Sequence, residues 1–137
     1  MREHGRFMDK TVPFRYDTVL EFAETDSAGV AHFTSILKIV ERAEHAFLTS
    51  LGVSVLERSN GRCGEPVFGW PRVDVRFRFR RPIVFQDVLT VEISVSAVGS
   101  KSLTLSARVL GADGEVAAEG RLVNACVGPS EGGEMRA

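Results

Sequence analysis

The sequence predicts an α+β domain in which an antiparallel sheet wraps around one long helix. The period of the apolar residues switches once, from two to about 3.6, and then returns to two for the rest of the chain. The later period-two segments are joined by short turns, which only antiparallel neighbours accept. One strand, one helix of about five turns and four further strands then bury the helix best if a five-stranded sheet curls around it.

Residues 1–11 read as a flexible N-terminal arm and 129–137 as a flexible C-terminal tail, leaving a single domain over 12–128. Phe14, Tyr16, Thr18, Leu20 and Phe22 alternate with Arg15, Asp17, Val19 and Glu21, which predicts a half-buried strand. From Thr34 onward, Ile36, Ile39, Val40, Ala43, Phe47 and Leu51 recur at intervals of three and four as one stripe of a helix. Lys38, Glu41, Arg42, His45 and Thr49 fall mostly on its other side. Thr34 or Ser35 is expected to cap the start, and Gly52 to stop the end. Ser59 to Pro66 reads as a polar loop holding Cys63. Beyond it, Val73, Val75, Phe77 and Phe79 alternate with polar residues, placing Arg72, Arg76, Arg78 and Arg80 on one solvated face. Leu89, Val91, Ile93, Val95 and Ala97 form the next alternating run. Gly99-Ser100-Lys101 turns the chain into Leu103, Leu105, Ala107 and Val109, and Asp113-Gly114 signals a hairpin before a last strand of about 115–127.

Composition narrows the function. At 137 residues the chain is one domain, and Lys+Arg 17 against Asp+Glu 18 gives a net charge of -1, which does not draw it to nucleic acid or anionic lipid. No aromatic stacking position shares the face of the arginine row, as a nucleic-acid surface would need. No apolar run approaches a membrane span and no leader pattern precedes the domain, so a cytoplasmic protein without membrane contact is expected. The two cysteines, Cys63 and Cys126, lack metal-ligand spacing, and Cys126 reads as a small core residue.

The segment richest in chemistry runs from Leu20 to Phe33. It leaves a strand, carries Asp26, turns on Gly29 and enters the helix. Free N–H groups and the positive dipole end at a helix start can hold an oxyanion. A carboxylate beside such donors suits cleavage of an acyl bond. The competing reading is that Asp26 only caps the turn.

Glu24-Thr25-Asp26-Ser27-Ala28-Gly29-Val30-Ala31-His32-Phe33 resembles the signature of the hotdog-fold acyl-CoA thioesterases, in their 4-hydroxybenzoyl-CoA thioesterase-like branch. Glu41-Arg42-Ala43, Phe79-Arg80-Arg81-Pro82, Asp87-Val88-Leu89-Thr90-Val91 and Lys101-Ser102 follow in matching order, so the resemblance spans roughly 14–127. It implies hydrolysis of a small aromatic or short-to-medium-chain acyl-CoA, in a homodimer or a tetramer with active sites between subunits and with no metal or redox cofactor. Asp26 would be the catalytic carboxylate, the N–H of Phe33 would polarise the thioester carbonyl, and His32 would orient substrate or water. The substrate-binding set expected is Gly29 at the turn, Lys101, Ser102 and Arg81 near the CoA phosphates, and Trp70 beside the acyl group. This chain has His32-Phe33 where close relatives often have Tyr before His or Phe, and Ile36 where many have an aromatic residue; both departures bear on acyl specificity. Alternatives are a thioesterase for acyl carrier protein, a hotdog enoyl-CoA hydratase or dehydratase using an Asp–His pair, and a non-catalytic acyl-CoA binder. The hydratase pattern has an Asn-Pro step where this chain has Ala28-Gly29.

Overall fold

A computed structural model of the chain describes residues 12–53 and 69–127 in full, and only the backbone of the strand residues at 56–58, 66–68, 128–129 and 135–136. The elements run β1 (Phe14–Val19), a short 3-10 turn (Phe22–Glu24), α1 (Phe33–Ser50), β2 (Leu56–Arg58), β3 (Pro66–Gly69), β4 (Arg72–Phe79), β5 (Val88–Val98), β6 (Ser102–Leu110), β7 (Val116–Ala125), β8 (Gly128–Pro129) and β9 (Met135–Arg136). Five strands form one antiparallel sheet in the order β1-β5-β6-β7-β4, while β2 pairs with β3 and β8 with β9. The arm at 1–11, Cys63 and most of the tail lie outside the described residues.

The sheet closes on α1 because their apolar faces match. Ile36, Ile39, Val40, Ala43, Phe47 and Leu48 of the helix are buried with Leu89, Val91, Ile93, Leu105, Ala107, Val109, Ala118 and Leu122 of the strands in one cluster. Phe14 of β1 packs on Phe47 at 5.5 Å between ring centres. Phe77, Gly120, Ala107 and Ile93 stand opposite one another across four strands. A side chain at Gly120 would start 2.7 Å from the Phe77 ring and closer still to the Arg76 carbonyl, so only glycine fits there. The outer face is charged: Glu92 bridges Arg15 and Arg108, and Glu119 pairs with Arg80.

Four local expectations need correction. β1 ends at Val19, because the chain bends into the 3-10 turn and leaves Phe22 75% exposed. The helix begins at Phe33 and is capped by His32, whose side chain accepts from the Thr34 N–H, rather than by Thr34 or Ser35. Arg72 does not share the solvated face: the register shifts between Arg72 and Asp74, and its guanidinium turns to Glu44 on the helix. Cys126 is only half-buried. Gly52 (φ +76) ends the helix as expected, and Gly114 (φ +82) completes the Asp113-Gly114 turn.

β4 is an edge strand. Val73, Val75 and Phe79 remain open on it, so part of its apolar side has no cover among the described residues.

Candidate active site

The loop before α1 is pinned at several points. Thr25 bridges Ala31, Val30 bridges Val84, and the Ala31 N–H donates to the Ile83 carbonyl at 2.7 Å. Within the loop the Asp26 N–H donates to the Val30 carbonyl at 2.8 Å, and the Gly29 N–H to the Asp26 carbonyl at 3.0 Å. Gly29 holds φ +78, a conformation that costs a residue with a side chain roughly 1–2 kcal/mol.

This turn fixes the Asp26 carboxylate by one oxygen. Oδ1 accepts from the N–H groups of Ala28 at 2.8 Å and Val30 at 3.2 Å. The turn-capping reading is therefore met by a single atom. Oδ2 has no partner among the described residues, and the residue is exposed. An anchored carboxylate with one open oxygen can attack a carbonyl carbon or accept a proton from water.

The helix entrance supplies the complementary donor. Its first N–H groups have no partner inside the helix. Thr34 donates to His32 Nδ1, and Ser35 and Ile36 donate to the His32 carbonyl. The N–H of Phe33 has no acceptor among the described residues. His32 stacks on the Phe33 ring at 4.8 Å, and its Nδ1 also lies 2.7 Å from Thr34 Oγ1. Nδ1 of His32 is thus engaged at the helix start by Thr34. The geometry makes His32 the helix cap and the support of Phe33.

Beside Phe33 opens a cleft of about 420 Å³, lined by Val30, Ala31, Ile36, Phe79, Pro82 and Ile83, with Arg80 and Arg81 at its margin. Arg81 is on this side of the molecule, but Asp113 holds both its terminal nitrogens, at 2.6 and 3.0 Å. The hydrogen bonds from Arg81 pull the Asp113 carboxyl down to about 2. A phosphate reaching Arg81 must therefore compete with a carboxylate already in place.

Trp70, Lys101 and Ser102 are not brought to Asp26 within one chain. β4 runs from Arg72, beside Glu44 in the second half of α1, to Phe79, beside Phe33 at its start. Lys101, whose carbonyl accepts from the Cys126 N–H, sits by the Arg72 end, as do Ser102 (paired with Ala125) and half-buried Trp70. From Arg72 to Phe79 the eight-residue strand spans about 23 Å. The expected site residues thus fall into two groups at opposite ends of the sheet: Asp26, Gly29, His32, Phe33 and Arg81 at one, Trp70, Lys101 and Ser102 at the other.

One polar cluster escaped the sequence reading. Glu44 is 1% exposed, and its two oxygens take Arg72 Nη1 and Nη2, each at 2.8 Å, with Asn124 Nδ2 at 2.5 Å. The signal was available: Glu44 lies four residues from both Val40 and Leu48 on the buried stripe. Glu41, Glu44 and His45 bring ligand atoms within 4.8 Å of one another, but the cation against Glu44 is the Arg72 guanidinium.

A five-stranded antiparallel sheet packed around one long helix is the hotdog class of fold. The chain belongs to the thioesterase superfamily, whose pattern matches residues 28–118. It is 29% identical over 86 residues to the 1,4-dihydroxy-2-naphthoyl-CoA hydrolase of Synechococcus elongatus, covering 63% of this chain and 61% of that protein, so the match spans under two thirds of the relative. Among solved structures, a gentisyl-coenzyme A thioesterase aligns with a TM-score of 0.71 at 24% identity, over 83% of this chain and 88% of the other. A 1,4-dihydroxy-2-naphthoyl-CoA thioesterase from Synechocystis aligns with a TM-score of 0.76 at 21% identity, over 90% and 87%. At these identities the structural likeness is one of fold.

Proposed function

We propose that the chain is an acyl-CoA thioesterase, hydrolysing a small aromatic or short-to-medium-chain acyl-CoA to the free acid and CoA. The observation that carries this reading is the N–H of Phe33 at the helix start, which has no acceptor among the described residues and stands where the turn that anchors Asp26 leads into the helix. A thioester needs little help to lose its leaving group, because a thiol of pKa about 8.5 gives a stable thiolate. It needs an attacking oxygen and a donor for the developing oxyanion. Asp26 Oδ2 is suited to the first, either adding to the carbonyl carbon and yielding an anhydride that water opens, or taking a proton from the attacking water. The Phe33 N–H is suited to the second, and one such donor lowers the barrier by about 3–4 kcal/mol. The relatives' aromatic acyl-CoA activities favour an aromatic acyl group for this chain too.

The apolar edge of β4 supports a working unit of two copies. An isologous, antiparallel pairing of that edge would carry the partner's Lys101, Ser102 and Trp70 toward Asp26, uniting groups that one chain keeps apart. Lys101 is then the better placed cation for the CoA phosphates, since Arg81 is held by Asp113. Among the described residues no helix is long and apolar enough to cross a membrane, and we assign the enzyme to the cytoplasm.

The test is thiol release from a panel of benzoyl-, phenylacetyl-, hydroxynaphthoyl- and straight-chain acyl-CoAs, with Asp26→Asn alongside. Turnover of at least one thioester, lowered about 10²–10⁴-fold by the substitution, is expected. Absence of release throughout, or release indifferent to Asp26→Asn, would overturn the proposal.

A further inference from the structure

The Asp26 turn is closed on itself. Its hydrogen bonds run between residues 26 and 30: the Asp26 N–H to the Val30 carbonyl, the Gly29 N–H to the Asp26 carbonyl, and Ala28 and Val30 to Oδ1. These bonds orient the carboxylate within the turn, but they do not fix its distance from the Phe33 N–H on the helix. That distance depends on how the turn is mounted on α1. The mount is a short ladder, in which Thr25 bridges Ala31 and the His32 N–H donates to the Glu24 carbonyl at 3.0 Å. The returning limb, residues 29–31, is held from outside by Ile83, Val84 and Phe85. The outgoing limb is held at Glu24.

Glu24 has three ties. Beyond its carbonyl, Oε1 accepts from the Glu21 N–H at 2.8 Å and Oε2 from Arg42 Nη1 at 3.3 Å. Arg42 stands about two and a half turns along α1 from Phe33, and its guanidinium also lies beside Tyr16 of β1. Among the described residues this is the side-chain link from the body of the helix to the outgoing limb. Glu41, one residue earlier, turns to Arg72 of β4, so Arg42 faces the sheet edge opposite the one a second copy would cover. The Arg42 side chain is 44% exposed, and an ion pair so open to water contributes little to folding. Catalysis is more demanding: reacting atoms must stand about 3–3.5 Å apart, and a displacement of about 1 Å can cost 10²-fold.

We infer, resting on the thioesterase reading, that Arg42 is a positioning residue, which acts through Glu24 to hold the Asp26 turn at working distance from the Phe33 N–H.

The experiment measures kcat and KM of the full chain by thiol release. Its substrate is whichever of the benzoyl-, phenylacetyl-, hydroxynaphthoyl- and straight-chain acyl-CoAs the parent uses fastest. Rates are taken per folded enzyme, below the melting temperature of every variant. Arg42→Met should lower kcat about tenfold, with KM within about twofold and Tm within about 3 °C of the parent. Arg42→Lys, whose ammonium also reaches Glu24, should recover most of the rate. Glu24→Gln keeps an oxygen for the Glu21 N–H and gives up the charge; combined with Arg42→Met it should be no slower than Arg42→Met alone. Arg108→Met breaks a comparably exposed pair on the outer face and should keep the parent kcat. An unchanged kcat in Arg42→Met, a loss carried by KM, an additive double variant or an equal loss in Arg108→Met would overturn the inference while hydrolysis itself stands. If the parent releases thiol from none of the panel, the thioesterase reading fails and the inference falls with it.

Discussion

Replacing Arg72 by Met should destabilise the domain more than most other single changes on β4. In the folded chain Glu44 is 1% exposed, and Arg72 supplies two hydrogen bonds of 2.8 Å to it. Met fills similar volume but leaves that carboxylate, among the described residues, with Asn124 Nδ2 as its remaining side-chain hydrogen-bond donor. Breaking a buried ion pair costs about 3–5 kcal/mol, because the surviving charge stays desolvated. The Arg72 side chain is 22% exposed, so water can reach part of the gap, and the lower end, about 3 kcal/mol, is expected. For a domain of this size that lowers Tm by roughly 10 °C. Removing both charges, with Arg72→Met and Glu44→Leu together, should recover most of the loss, since a buried pair is often no better than an apolar one. Urea unfolding at one fixed protein concentration measures all three variants, which keeps association constant. An Arg72→Met cost below about 1 kcal/mol, or a double variant no better than the single, would refute the reasoning.

Asp26→Asn keeps an amide oxygen that can accept from Ala28 and Val30, so its stability should stay within about 0.5 kcal/mol of the parent. Asp26→Ala loses both bonds and should cost about 1–2 kcal/mol, as urea unfolding will show. His32→Ala removes the helix cap and should cost about 1 kcal/mol, while His32→Asn, a favoured capping residue, should restore most of it; equal melting of the two variants would exclude the capping role. Arg81 lowers the Asp113 carboxyl from 3.8 to about 2, so this pair stabilises the fold above pH 4 and loses that contribution as pH falls toward 2. Asp113→Asn should flatten that acid limb in a pH series of Tm values, lying slightly below the parent at neutral pH and converging with it near pH 2.

Local pattern was enough for the architecture where one force decided the structure. The alternation of β5 and β6 and the stripe from Ile36 to Phe47 reflect burial alone, and these elements lie where periodicity puts them. Gly52 and Gly114 were readable because their backbone angles all but demand glycine. The failures came where neighbours from afar chose the outcome. Arg72 belongs by spacing with Arg76 and Arg78, but a bulge and the pull of Glu44 turn it inward. His32 caps the helix in place of Thr34 because the chain enters one residue earlier than the apolar stripe reveals. At the site, the order Asp26, Gly29, His32, Phe33 could be read because these residues are adjacent in sequence. The separation of Lys101, Ser102 and Trp70 from them could not, since it depends on strand direction across the whole sheet. The partner that engages Arg81 was equally hidden, because Asp113 lies 32 residues away on another hairpin.

The most direct measurement is a crystal structure of the protein with an acyl-CoA analogue whose sulfur is separated from the carbonyl by a methylene, which binds but cannot be hydrolysed. The account predicts the carbonyl oxygen about 2.7–3.1 Å from the Phe33 nitrogen and the open Asp26 oxygen about 3–3.5 Å from the carbonyl carbon. A ligand bound with its carbonyl away from the helix entrance, and with Asp26 touching only its own turn, would contradict it.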